Sequence, residues 1–247
     1  MTLPTTIISK LNKLFDKVLV LTLEHDFNES DFVANANLAP TAKSRIQRIK
    51  DRLDGLDYEL FYGIDGSKAG FTNLHTDTNG IVRVMPQNLS FGQIGCSLSH
   101  VKMYEKIANS DWEKVLILED DCIFFPEFEN VEDYMSQLPN DWGMVYLGWD
   151  GNMYPQPNHS SNICKVTKDN FIHLHCTHSI GITKSFAKTM AEFNKEGYYT
   201  ADGAFSEVVK QKNETCYAIV PRLTRQENID CTAYEIDLRT TKENTDK

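Results

Sequence analysis

Continuous apolar runs and helix-spaced apolar positions alternate along the chain. The run at residues 18–23 is apolar except for Thr22, which is typical of a strand buried on both faces of a parallel sheet. Residues 42–53 place apolar side chains on one side and basic ones on the other, which predicts an amphipathic helix. Residues 58–64 read as a second strand, so the chain opens with a predicted βαβ unit.

The same alternation continues to about residue 220. Further strands are predicted at residues 114–118, 143–149, 171–176 and 216–220. Further helices are predicted from the Ser90–Gln93 capping box to about Ala108, from Pro126 to about Leu138, and at residues 184–196 and 201–212. Residues 66–90 and 150–165 read as loops. We therefore predict one α/β domain over residues 1–237 with a largely parallel sheet, and a disordered tail at 238–247.

The composition excludes several classes of function. The chain has 247 residues, with 25 Lys and Arg against 35 Asp and Glu, and such an acidic surface argues against a nucleic-acid partner. No run of apolar residues is long enough to span a bilayer, and lysines interrupt the N-terminal segment where a signal peptide would need an apolar stretch. We expect a cytoplasmic protein, either free or at a membrane surface. The 6 cysteines contain no C-x-x-C pair, and we expect them to be reduced and mostly buried.

Three acidic residues stand at the end of a predicted strand. Residues 115–118 are apolar, and Glu119, Asp120 and Asp121 follow without a break. The carboxyl ends of parallel strands line the ligand crevice, and a divalent cation would relieve the repulsion among three carboxylates. Their oxygens suit Mg²⁺ or Mn²⁺, and such an ion would bind a diphosphate. The alternative is a solvated strand end, or acids that favour the N-terminus of the next helix.

The flanking sequence resembles a known family. Residues 91–100, F-G-Q-I-G-C-S-L-S-H, are similar to the G-E-I-G-C-x-L-S-H signature of glycosyltransferase family 25, and so is their distance to L-E-D-D at 118–121. Asp65-Gly66 resembles the A-V-D-G turn of that family, and residues 145–148 resemble its I-Y-L-G strand. Weaker matches are residues 201–205, similar to V-D-x-F-L, and Pro221 with Gln226, similar to the closing P-x-x-x-x-Q.

The resemblance covers residues 18–226 and implies a fold and an activity. The fold would be of GT-A type, with a Rossmann-like nucleotide-binding half fused to an acceptor-binding half. The activity would be inverting transfer of a hexose, usually galactose, from a UDP-sugar with the help of a divalent ion. The acceptor would be the hydroxyl of a glycan, as in lipooligosaccharide synthesis, or of hydroxylysine, as in collagen.

The resemblance also implies roles for individual residues. Asp121 is the expected metal ligand, with Glu119 beside it, and Glu119 and Asp120 are also expected to contact the donor. Inversion requires a base on the face of the sugar opposite UDP, and Asp202 is the candidate. The alternative for Asp202 is that it caps the following helix or only binds sugar hydroxyls.

Other donor-side candidates surround this centre. Asp65 and Gly66 follow the second strand. Arg45 resembles an arginine that the family has shortly after its first strand and that could hold a phosphate bidentately; the alternative is a solvated helix face. Ser99 and His100 precede the acidic strand on one helix. His100 would contact the donor, or it would be hydrogen-bonded inside the fold and orient that helix.

The acceptor side is less defined by sequence. Trp149 and Tyr154 lie at and beyond the end of a predicted strand, where their rings could stack on a sugar, and Asp150 could accept a hydrogen bond from a sugar hydroxyl. Alternation places His173 and His175 on one strand face, which fits either a zinc pair or a half-solvated strand.

Two other functions fit the same residues. A non-catalytic sugar or nucleotide-sugar binding protein would keep Asp121 and lose turnover. A metal-dependent nucleotide-sugar hydrolase would use the acidic triplet to attack phosphorus with water. No Walker loop or G-x-G-x-x-G motif occurs, which disfavours kinases and dehydrogenases.

Overall fold

In the computed structural model the chain forms helices on both faces of a central sheet. The structure describes residues 2–23, 45–65, 74–76, 82–84, 89, 91–150, 161–167, 174–212 and 215–227. The helices are α1 (Thr5–Leu14), α2 (Arg45–Arg52), α3 (Phe91–Ala108), α4 (Val131–Met135), α5 (Lys184–Phe193) and α6 (Ala201–Lys212), with a 3-10 helix at Pro126–Asn130. The strands are β1 (Lys17–Thr22), β2 (Glu59–Tyr62), β3 (Leu74–Thr76), β4 (Val82–Val84), β5 (Lys114–Glu119), β6 (Cys122–Phe124), β7 (Met144–Asp150), β8 (Ile163–Val166), β9 (His175–Thr183), β10 (Cys216–Ile219) and β11 (Thr224–Gln226).

The main sheet runs in the order β2, β1, β5, β9, β7, β10, β8. β1 pairs in parallel with β2 and β5, and β10 pairs in parallel with β7. β9 runs antiparallel between β5 and β7, and β8 runs antiparallel to β10. All strands on this path except β9 and β8 therefore point in one direction. The predicted α/β fold with a largely parallel sheet is confirmed.

Both faces of the sheet are covered, which explains the uninterrupted apolar runs. In β5, Leu116 and Leu118 belong to a core shared with α1 and α2. The alternate residues Val115 and Ile117 belong to a second core shared with α3, α5 and α6. All four side chains are fully buried, as expected for a strand covered on both sides.

Several elements differ from the sequence prediction. The helix predicted from Pro126 is instead a 3-10 helix followed by the short α4, and β8 begins inside the predicted loop 150–165. The pattern did not predict α1, β3, β4, β6 or β11. Ser90 and the predicted tail at 238–247 lie outside the described residues, so the domain boundary stays a prediction. Among the described residues, no helix is long and apolar enough to cross a membrane.

The strand predicted at residues 171–176 was wrong in extent, because β9 spans His175–Thr183. Its buried residues include the polar Thr177, His178 and Ser179. Because of them the strand has no continuous apolar run, and its sequence resembles that of a loop. Since β9 is antiparallel to β5 and β7, its first residues lie at the sheet edge where those two strands end. This reversal brings the beginning of β9 to the acidic triplet.

Candidate active site

Three acidic residues at the end of β5 and one amide from β11 form what we call the carboxylate edge: Glu119, Asp120, Asp121 and Gln226. Gln226 Nε2 lies 3.4 Å from Glu119 Oε2 and 3.3 Å from Asp121 Oδ2. β11 pairs with β6 so that Gln226 stands opposite Cys122, which carries the amide across the turn after β5. Two carboxylates thus converge on one nitrogen, an arrangement whose repulsion a cation would relieve.

Glu119 is held by donors from two other elements. Thr177 Oγ1 of β9 donates to Glu119 Oε1 at 2.6 Å, and His100 Nε2 of α3 lies 3.1 Å from the same oxygen. Burial alone would raise the pKa of Glu119, but the hydrogen bonds from His100 and Thr177 outweigh it, so the pKa is lowered. Glu119 is therefore a partly buried anion at neutral pH.

The other donor-side acids lie at the ends of neighbouring strands. Thr22 is the last residue of β1, and its Oγ1 donates a hydrogen bond to Asp120 Oδ2 at 2.8 Å. Asp65 follows β2 and is partly buried. Because β2, β1 and β5 are parallel, their carboxyl ends meet at one edge, as the sequence predicted. Gly66 lies outside the described residues.

Two serines of α3 hold the segments on either side of the carboxylate edge. Ser99 Oγ accepts from the backbone N–H of Ile64 at 2.7 Å, which fixes the chain just before Asp65. Ser97 Oγ donates to the carbonyl of Tyr199 at 2.6 Å and accepts from Asn194 Nδ2 at 2.8 Å. Tyr199 lies just before α6, so one helix positions two loops of the site.

His100 occupies the internal position that was one of its two predicted alternatives. Its side chain is fully buried, with Nδ1 3.2 Å from Tyr104 Oη and Nε2 on Glu119. Ligand atoms of Cys96, His100 and Glu119 all lie within 4.8 Å of one another. Burial, reinforced by nearby carboxylates, raises the pKa of the Cys96 thiol, so the thiol is protonated when no metal is bound.

Asp202 lies in the first turn of α6, beside a cavity that we call the α6 pocket. The cavity has a volume of about 350 Å³ and is lined by Gln93, Leu174, His175, Thr200, Asp202 and Ser206, among others. Gly203 N–H donates to Asp202 Oδ1 at 2.9 Å and also to Thr200 Oγ1 at 3.1 Å. Thr200 therefore caps the helix, and Asp202 gains from the helix dipole.

The carboxylate of Asp202 is strongly stabilised as an anion. Burial by itself raises its pKa, but the neighbouring His175 and Thr200 side chains and the hydrogen bonds from the backbone N–H groups of Cys176 and Gly203 lower the pKa to about 2. A carboxylate with so low a pKa is a weak base. This favours an anchoring role for Asp202 over direct proton removal.

Cys176 links the α6 pocket to the carboxylate edge. Its φ of 75° is positive, a conformation that costs a non-glycine residue about 1–3 kcal/mol. In this conformation its backbone N–H donates to Asp202 Oδ2 at 3.3 Å, and its Sγ contacts Gln226 Oε1 at 3.1 Å. The strained residue thus joins the two parts of the site.

The predicted acceptor residues divide between core and edge. Trp149 is 1% exposed, and its indole N–H donates to the carbonyl of Ile219 at 3.1 Å. Because β7 extends to Asp150, the ring of Trp149 is buried and offers no face to an acceptor. The prediction that Trp149 stacks on an acceptor sugar is therefore wrong. Asp150 remains partly exposed beside Arg222, with Oδ1 and Nη1 3.7 Å apart. Tyr154 lies outside the described residues.

The basic residues of α2 serve the site in a way the sequence did not predict. The backbone of Arg45 begins α2, but its side chain is not among those described. Arg48 Nε and Arg52 Nη2 each lie 3.0 Å from Glu227 Oε2, and Glu227 N–H donates to the carbonyl of Asp121 at 2.8 Å. Two partly buried ion pairs therefore brace the turn that carries Asp121.

Sequence reasoning assigned no role in the site to Thr177 or Gln226. Gln226 carried a signal, since it matched the closing motif of the resemblance. Thr177 carried none, because its position depends on the reversed direction of β9. His175 was noticed only for its spacing from His173, which lies outside the described residues.

An α/β protein with clustered carboxylates at the carboxyl ends of parallel strands is the class that this fold and site define. Residues 31–219 match the sequence model of Glycosyltransferase family 25 (LPS biosynthesis protein). The match spans more than half of the chain, which therefore belongs to glycosyltransferase family 25, as its motifs predicted.

Relatives in this family cover part of the chain. A Glycosyltransferase 25 family member of Aedes aegypti is 30% identical over 47% of this chain and 20% of its own length. Human Procollagen galactosyltransferase 2 is 34% identical over 24% of this chain and 10% of its own length. A rat protein named Probable inactive glycosyltransferase 25 family member 3 is 31% identical over 25% and 12%. The chain thus spans a fifth or less of the length of these relatives.

Among solved structures, a mutant of Drosophila beta-1,4-galactosyltransferase 7 in complex with manganese, UDP-Gal and xylobiose is similar over 90% of this chain and 79% of its own. The identity is 8% and the TM-score is 0.35. A TM-score this low does not show a shared fold or a shared site.

Proposed function

We propose that this chain is an inverting, metal-dependent glycosyltransferase that moves a hexose, in first place galactose, from a UDP-sugar to a hydroxyl acceptor. The observation that carries the proposal is the convergence of Glu119 and Asp121 on the amide of Gln226 at the end of β5. The membership of family 25 supports transfer of a sugar, and relatives named galactosyltransferases support the choice of galactose.

The donor atoms at the carboxylate edge fit Mn²⁺ or Mg²⁺, because they are carboxylate oxygens. Asp121 would hold the ion. Both oxygens of Glu119 accept hydrogen bonds from the protein, so we assign Glu119 to the support of the site instead of to a second ligand position. When bound, the ion would neutralise charge that develops on the diphosphate of UDP.

Other residues of the chain would bind the donor and the acceptor. Asp120, fixed by Thr22, and Asp65, at the end of β2, would contact the donor. Across the site, the α6 pocket would receive the acceptor on the face of the sugar opposite UDP, as inversion requires. This gives a GT-A-type division, with a nucleotide half at β1, β2 and β5 and an acceptor half at β7, β9 and α6.

The acceptor class is part of the proposal. The α6 pocket is open and polar at Asp202, His175 and Thr200, which suits a hydroxylated substrate. A glycan, including a lipid-linked one, or a hydroxylysine-type hydroxyl would fit this chemistry.

The test is incubation of the purified chain with UDP-galactose, UDP-glucose and UDP-N-acetylglucosamine. Each is assayed with MnCl₂ or EDTA, with and without glycoside and hydroxylysine-peptide acceptors. We expect UDP release from one donor that is lost with EDTA, and a product whose anomeric configuration is inverted by NMR. UMP with sugar phosphate would indicate a hydrolase, and Mn²⁺-dependent UDP binding without product from any acceptor would indicate a binding protein.

A further inference from the structure

The first residue of β9 presents an imidazole to the acceptor side of the site. His175 Nδ1 lies 3.8 Å from Asp202 Oδ2, and the His175 side chain is 55% exposed against 28% for that of Asp202. Both side chains line the α6 pocket. The histidine is therefore the more accessible of two adjacent groups that could accept a proton.

The carboxylate of Asp202 is arranged to hold a partner. Each of its oxygens already accepts a backbone hydrogen bond, Oδ1 from Gly203 and Oδ2 from Cys176. Its low pKa makes it a weak base, whereas an imidazole titrates between pH 5 and 8, close to the pH at which an enzyme works. A carboxylate next to Nδ1 favours the tautomer that leaves the lone pair on Nε2.

We propose that His175 Nε2 accepts the proton of the acceptor hydroxyl and that Asp202 is the positioning residue that holds the imidazole. This inference rests on the proposed function and specifies its proton transfer. The acceptor oxygen forms a bond to the anomeric carbon, and the bond from that carbon to UDP breaks, with its electron pair leaving on the diphosphate. The hydroxyl proton moves to Nε2, and the imidazolium, stabilised by Asp202, later releases it to solvent.

The charged groups described around His175 favour this role. Asp202 faces it from α6, and Asp150 stands opposite it in the pairing of β7 with β9. Arg222 lies 3.7 Å from Asp150 and offsets part of that second charge. Gln93 of α3, which is neutral, also lines the pocket. Two carboxylates and one guanidinium thus leave a net negative field that stabilises an imidazolium.

The experiment compares wild type with His175→Gln and Asp202→Asn, using UDP-galactose, MnCl₂ and the same acceptor panel between pH 5 and 9. In the wild type we expect the rate at saturating substrate to fall on the acid side through one histidine-like transition. His175→Gln should lower the rate by about 10²–10⁴-fold and remove that transition. Added imidazole should restore part of the lost rate.

Asp202→Asn should lower the rate less, by about 10–100-fold, and should keep the transition but move it to lower pH. Glu207→Gln changes a partly exposed carboxylate on the same helix, which pairs with Lys210, and should leave the profile unchanged. Mn²⁺-dependent UDP binding, measured by calorimetry, should be retained in all three variants and shows that each is folded.

Two results would overturn the inference. If His175→Gln, or the second variant His175→Asn, keeps the wild-type rate and acid transition, His175 is not the base although the proposed function stands. If the wild type releases no UDP from any donor, the proposed function fails, and the inference fails with it.

Discussion

The carboxylate edge and the α6 pocket are joined through Cys176, yet they are constructed in different ways. At the edge, Thr177 and Gln226 donate to Glu119, while Thr22 fixes Asp120. At the pocket the ionisable groups stand next to open space, and the His175 side chain is 55% exposed.

This difference matches the two halves of the proposed reaction. A cation and a diphosphate need anions whose positions are fixed before binding, and the hydrogen bonds of the edge provide this. An acceptor must enter, react and leave, which requires an open cavity. Changes at the edge should therefore affect the donor, and changes at the pocket should affect the acceptor and the proton.

The largest effect is expected from Asp121→Ala. Loss of the proposed metal ligand should reduce transfer by more than about 10³-fold and abolish Mn²⁺-dependent UDP binding, with the fold retained. UDP release and calorimetry measure both. The matched control is Asp111→Ala, an exposed aspartate near the opposite end of β5, which should behave as wild type. Full activity of Asp121→Ala would remove the metal assignment.

A smaller loss should follow His100→Leu, which acts through Glu119. Without the imidazole, Glu119 loses one of its buried donors, and support of this kind is worth about 10–100-fold in activity or metal affinity. The expected result is a weaker affinity for Mn²⁺ in the presence of UDP, with little change in acceptor KM. The control Lys102→Leu alters an exposed residue of the same helix. An acceptor-only defect in His100→Leu would contradict the division between edge and pocket.

The stability of the pocket should depend on pH through Asp202. Its pKa falls from 3.8 to about 2 on folding, which corresponds to roughly 2 kcal/mol of stability. This contribution is complete above the unfolded pKa and disappears as the pH falls through the folded pKa. Urea unfolding of wild type and Asp202→Asn should therefore differ most at pH 6 and progressively less from pH 4 downwards. A difference that stays constant over this range would contradict the anchoring role.

The smallest effects should come from the two serines of α3, and they should separate the two regions. Ser99→Ala and Ser97→Ala each remove a hydroxyl that holds a backbone group of a neighbouring loop, which should lower the unfolding free energy by about 1 kcal/mol. Ser99→Ala should raise the donor KM, because it releases the loop before Asp65. Ser97→Ala should raise the acceptor KM, because it releases the segment before α6. If both variants changed the same KM, either donor or acceptor, α3 would not connect two separate subsites.

Much of the carboxylate edge could be predicted from sequence. β5 is a continuous apolar run followed at once by three acids, and both signals survive in the structure because the strand is buried on two faces. The α6 pocket could not be predicted in the same way. Thr177, His178 and Ser179 are buried polar residues inside β9, and no apolar period marks that strand.

Trp149 is a residue whose predicted place at the site was wrong, because its burial could not be predicted from the sequence. An aromatic residue before Asp150 suggested a surface platform, but the strand continues past the predicted end and buries the ring. Which aromatic residues reach an acceptor depends on where a strand ends, and the end of β7 is set by the pairing of Asp150 with His175 of β9. The helix α6, by contrast, was predicted with its observed bounds, because its apolar spacing and its start after Thr200 are local signals.

The most direct test of the central claim is Mn²⁺ binding followed by electron paramagnetic resonance, with and without UDP. One Mn²⁺ should bind per chain, UDP should tighten this binding, and Asp121→Ala should abolish the UDP-dependent part. Binding of UDP that is equally tight in EDTA, or Mn²⁺ binding that UDP and Asp121→Ala leave unchanged, would contradict the claim that the carboxylate edge holds the donor through a cation.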